Sequence, residues 1–169
     1  MTVGRHVVIP IVLVVGSMFT HRAVAAQAGD FNFRFEGGVC FTEKLDTLTG
    51  DFTRIWGMPP SGDTVKLSLT DAQMSTIYRA IENIRFFDYP AVFLGVSPDA
   101  KVIAETGPSF TYRFEVRNAG VVHAVLWTDS GKPTTVEADR LRDLFSMIRR
   151  FIHDHPTFKR LRPTLGGCE

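Results

Sequence analysis

The stretch Phe151-Ile-His-Asp-His-Pro-Thr-Phe158 sets two histidines around an aspartate, with a proline directly behind them. Imidazole and carboxylate groups so close together suggest a metal-ligand pair or an acid–base cluster. On a helix, however, residues two apart point about 200° apart, because each residue turns about 100°. His153 and His155 converge on one ion only if this end is extended, and Pro156 favours that by disfavouring helical geometry at His155. Beyond residue 26 the chain has one other histidine, His123, so a three-histidine zinc site would consume them all. The competing reading is a helix end. His153 then follows Arg142 and Arg149 on the wet face and meets orphan carbonyls, while His155 leans toward Ile148, Phe151 and Ile152. This second reading is adopted, and neither a metal nor another cofactor is expected.

The remaining chemistry is sparse. Gly95-Val96-Ser97-Pro98-Asp99 resembles a nucleophile elbow only halfway: the last glycine is missing and a proline follows the serine. Zincin, phosphate-loop and dinucleotide-binding patterns are absent. Glu36, Glu43, Asp46 and Asp51 fall within sixteen residues and could line a cleft with His123 as a base, the arrangement a small hydrolase would need. Solvated loop and strand faces account for the same carboxylates. Trp56 and Trp127 are candidate binding residues, because tryptophan is enriched where interfaces concentrate their energy, although core packing competes for both. Arg142, Arg149, Arg150, Lys159, Arg160 and Arg162 make the carboxyl end locally basic, with seven Lys and Arg against three Asp and Glu from Arg140 onward.

The elements that must position these groups follow from hydrophobic periodicity. Phe31, Phe33 and Phe35 alternate with polar residues and predict a strand with one buried face; Gly37-Gly38 ends or bulges it. Strands are also expected within Asp46 to Trp56 and at Val65, Leu67 and Leu69, with Pro59 to Asp63 as a turn. Thr70-Asp71-Ala72-Gln73 fits a capping box, and Met74, Ile77, Ile81 and Ile84 recur at helical spacing behind it. From Ala91 to Pro108 no period is visible, so a long loop is expected. Phe110 to Arg117 and Val121 to Trp127 form a hairpin around Asn118-Ala119-Gly120; whether its loop has two or three residues decides which face His123 and Trp127 share. A last helix from Thr135 to Asp154 buries Leu141, Leu144, Phe145, Ile148, Phe151 and Ile152. Its Glu137 and Asp139 near the start, and Arg149 and Arg150 toward the end, match the macrodipole.

The resulting order, β-β-β-α-β-β-α, predicts an α+β fold: an antiparallel sheet of about five strands with two helices packed on one face. Residues 1–26 read as a cleavable signal peptide. Arg5 and His6 precede an apolar run from Val7 to Phe19, and Arg-Ala-Val-Ala-Ala-Gln-Ala supplies small residues at peptidase spacing. The run is too short to span a bilayer, so the mature chain, residues 27–169, is expected to form a single domain without a transmembrane segment. An exported location, periplasmic or secreted, makes a Cys40–Cys168 disulfide the expected state of the two cysteines. The mature chain holds 17 Lys and Arg against 18 Asp and Glu, a balance that excludes nonspecific nucleic-acid binding. The function expected is that of an exported non-catalytic binding domain. Its partner would be a protein or an anionic envelope component, met through Arg149, Arg150, Lys159 and Arg160 with Trp56 and Trp127 as further contacts.

Overall fold

The computed structural model describes residues 30–39, 42–56, 61–96, 109–129 and 134–161. The expected signal peptide, Cys40, Cys168 and Arg162 lie outside these residues, as do Ser97 to Asp99.

Seven strands form one mixed sheet: β1 Asn32–Gly38, β2 Glu43–Asp46, β3 Asp51–Trp56, β4 Ser61–Lys66, β5 Val92–Phe93, β6 Phe110–Asn118 and β7 Val121–Asp129, in the order β4-β3-β2-β1-β6-β7-β5. Helix α1, Asp71–Asn83, follows β4, and α2, Val136–Asp154, follows β7. The α+β class is as expected, but five strands become seven. The first addition is the two-residue β5, which runs parallel to β7 through Val92↔Leu126 and Phe93↔Trp127 and makes the sheet mixed. The second is β2, four residues pairing β1 on one side and β3 on the other. Ser61 to Asp63, the described part of the segment expected as a turn, open β4 instead, while Leu67 and Leu69 lie beyond the end of that strand.

Alternation sorts the side chains to two faces. Phe33 and Phe35 of β1, Leu45 of β2, Phe52 of β3, Tyr112, Phe114 and Val116 of β6, and Val125 and Trp127 of β7 are all buried. Both helices cover this face. Phe145 of α2 packs its ring against Phe35, Tyr112, Phe114 and Trp127, and Tyr78 of α1 meets Phe31 edge-on. The other face is solvated and carries cross-strand ion pairs, Arg34–Asp46 at 2.7 Å and Lys44–Glu36 at 4.0 Å.

Local signals explain the helix starts. The Thr70 side chain accepts from the Gln73 amide, and the Gln73 side chain accepts from the Thr70 amide, completing the capping box. Thr135 accepts from the Ala138 amide and caps α2. The α2 helix stops at Asp154 because His155, ahead of Pro156, takes an extended conformation (φ −66°, ψ 134°). The β6–β7 hairpin closes through a two-residue loop, Ala119-Gly120, with φ of 47° and 80° and Asn118 paired to Val121. Positive φ at both positions is the hairpin turn whose twist suits the strands. That loop length puts His123 and Trp127 on the helix-covered face, opposite Val116 and Tyr112.

Candidate functional site

Glu43 is the one buried charged residue in the described core, 4% exposed. It is the inward residue of β2, directly opposite Gly37 of β1 and Arg54 of β3. The end of α2 passes over this corner of the sheet. Arg149 Nε donates to Glu43 Oε2 at 3.3 Å, and His153 Nε2 lies 2.9 Å from Oε1. The i,i+4 spacing of Arg149 and His153 puts both over the same carboxylate. Burial pushes the Glu43 carboxyl upward, but the hydrogen bonds and charges of His153 and Arg149 together outweigh it and hold the group below its ordinary value. Glu43 is therefore ionised at neutral pH and anchors the Arg149 and His153 side chains of α2 to the sheet.

An aromatic shelf completes the corner. The Phe158 ring, in the single 3-10 turn Phe158–Arg160 that follows α2, stacks with the His153 imidazole at 4.3 Å between centroids. The Arg54 guanidinium carbon sits 4.5 Å from the same ring centroid. The Arg54 Nε is buried and has no hydrogen-bond partner among the described residues. Outside the shelf, Ser146, Arg149, Arg150 and His153 line an open depression of about 420 Å³. Arg150, Lys159 and Arg160 are exposed and form no ion pair among the described residues. The corner thus presents guanidinium, ammonium and imidazole groups with the Glu43 carboxylate set beneath Arg149 and His153, a surface suited to anions.

The placement of the residues singled out from the sequence is mixed. Arg149 and Arg150 line the depression at this corner, and Lys159 and Arg160 belong to the 3-10 turn that follows α2. Arg142 does not join them: it bonds Asp129 through Nε at 2.8 Å and also pairs with Asp139. His153, expected on the wet face against orphan carbonyls, is instead half-buried between Glu43 and Phe158. The wheel placed Arg142, Arg149 and His153 together correctly, but that stripe meets carboxylates of the sheet rather than water. His155 Nδ1 accepts from the Thr157 amide at 3.2 Å. Trp127 is 1% exposed and packs on Tyr112, Phe93 and Phe145 in the core. Trp56 is the last residue of β3, and its side chain lies outside the described part.

The carboxylates grouped in sequence are separated by the sheet. Glu36, Asp46 and Asp51 take the solvated face, where Lys44, Arg34 and Lys66 pair with them; Glu43 takes the other. His123 is on the covered face, its Nε2 3.0 Å from the Tyr89 carbonyl and its ring against Phe86 and Phe87. These groups do not converge on a shared reacting point. Among the described residues no group of three or more His, Cys, Asp or Glu side chains is placed to hold a metal ion, and no helix is long and apolar enough to cross a membrane.

Glu43 was one of four similar carboxylates in sequence, and nothing there separated it from the others. The available signal was its position two before Leu45, on the inward register of a strand too short to recognise. No protein-family model matches this chain, and neither a curated protein nor a solved structure matches it.

Proposed function

We propose that this chain is an exported, non-catalytic binding domain that holds an anionic envelope surface through the basic corner at the end of α2. The observation that carries the reading is the exposure of Arg150, Lys159 and Arg160 without ion-pair partners among the described residues, beside Arg149 and His153 that Glu43 fixes in place. Export rests on the amino-terminal pattern of a short basic start, an apolar run and small residues at the cleavage spacing. A Cys40–Cys168 bridge belongs to the same reading, since an oxidising compartment favours it. Solvent-exposed cations spread along a helix end and a following turn can meet several phosphate or carboxylate groups at once, which suits a charged surface better than a single small anion.

Co-sedimentation with phospholipid vesicles tests the reading. The chain is expected to sediment with vesicles containing phosphatidylglycerol, to ignore purely zwitterionic vesicles, and to be released as salt rises. Indifference to phosphatidylglycerol together with salt-sensitive retention on immobilised polyglutamate would transfer the corner to an acidic protein partner. Indifference to both would remove the reading.

A further inference from the structure

A second site lies away from the basic corner, where the end of α1 meets the start of α2. A cleft of about 250 Å³ opens there between the 3-10 turn Phe86–Asp88, β5 and the first turns of α2. Its floor is apolar: the Tyr89 and Phe93 rings meet edge-on at 5.1 Å between centroids. The Tyr89 hydroxyl donates to the Glu137 carbonyl at 3.0 Å and ties the floor to α2. Its rim is charged with both signs, the ion pair of Arg85 Nε with Asp88 Oδ2 at 3.0 Å on one side and Glu137 and Arg140 on the other.

Two features of that rim point to a ligand. Glu137 and Arg140 stand three residues apart on α2, a spacing that allows an ion pair, yet neither has an ion-pair partner among the described residues. Arg85, directly after the α1 C-cap, has left-handed backbone (φ 56°, ψ 50°). Helices usually place glycine there, because a side chain is strained in that conformation. Strained residues collect at ligand clamps, and this one lines the cleft.

We propose that the cleft binds an amino-acid-sized zwitterion with an apolar side chain. The ligand carboxylate meets Arg140 and shares Arg85 with Asp88; the ligand ammonium meets Glu137; the side chain lies on Tyr89 and Phe93. An uncharged apolar molecule leaves the rim unused, and a simple anion or cation satisfies only one of its signs.

Titration calorimetry of the chain with L-phenylalanine and L-leucine, and with 3-phenylpropionate and phenethylamine as half-ligands, tests the proposal. Saturable binding of at least one amino acid is expected, about tenfold or more tighter than either half-ligand, as a charge-assisted contact at each end provides. Arg140→Ala should weaken it by about tenfold. Arg85→Gly should raise the Tm by about 2–4 °C through relief of the left-handed strain while weakening the amino acid several-fold, opposite effects that a purely structural arginine would not produce. No saturable binding of either amino acid, half-ligands that bind equally well, or amino-acid affinity unchanged in Arg140→Ala and Arg85→Gly overturns the proposal.

Discussion

Glu43 is the residue on which the basic corner turns. A carboxylate this buried is tolerated because Arg149 and His153 supply hydrogen bonds from above, and breaking such a set leaves charges uncompensated. Glu43→Gln is expected to cost about 2 kcal/mol at pH 7 by urea denaturation, the scale of a charge-assisted hydrogen bond. The pH dependence has a defined sign. With its carboxyl held below the ordinary value of 4.5, Glu43 contributes stability that is full above that value and is lost as pH falls through the depressed one. The Gln variant should therefore show a shallower acid limb below pH 4.5, and equal slopes would contradict the role assigned to Glu43. Sequence made the cations visible but not their anchor. The partners lie 106 and 110 residues from Glu43 in the chain, and no local pattern encodes a contact between a strand and a helix that distant.

At the scale of elements, local chemistry was legible wherever it was strong. The Thr70 capping box and the apolar stripe behind it marked α1, and Thr135 with Glu137 and Asp139 marked the start of α2. The alternating phenylalanines of β1 and the run Phe110 to Val116 marked the centre of the sheet. Three shorter strands were not fully legible, for physical reasons. In β2 the inward residues are Glu43 and Leu45, so a buried carboxylate hides the alternation. In β4, Ser61-Gly62-Asp63 has turn composition although it pairs with Arg54 to Trp56, and β5 is too short to show any period. Two element-level predictions follow from the caps and turns. Thr70→Ala should cost about 1 kcal/mol through loss of the Gln73 amide bond. Ala119→Asn should stabilise the hairpin by about 0.5 kcal/mol, because asparagine accepts the positive φ at that turn position more readily than alanine. A Tm unchanged or lowered by Ala119→Asn would count against the turn geometry.

On the scale of the molecule, the fold divides its labour by face and by corner. One face of the sheet is core, with Phe145 touching four aromatic rings from three strands. Phe145→Ala should destabilise by about 3–5 kcal/mol, and a loss under 1 kcal/mol would show that α2 is not pinned there. The opposite face carries the cross-strand pairs Arg34–Asp46, Lys44–Glu36 and Lys66–Asp51. The surplus cations collect instead where α2 ends, and the sequence signalled this through composition, although Arg142 turned out to be committed to Asp129 and Asp139. The measurement that tests the central claim most directly is co-sedimentation of the triple variant Arg150→Glu, Lys159→Glu, Arg160→Glu with phosphatidylglycerol vesicles. All three residues are exposed, so the variant should keep the Tm of the parent within a few degrees. The folded variant is expected to lose at least about tenfold in vesicle affinity, since each cation near an anionic surface contributes about 1 kcal/mol; retention equal to that of the parent chain would contradict binding through the basic corner.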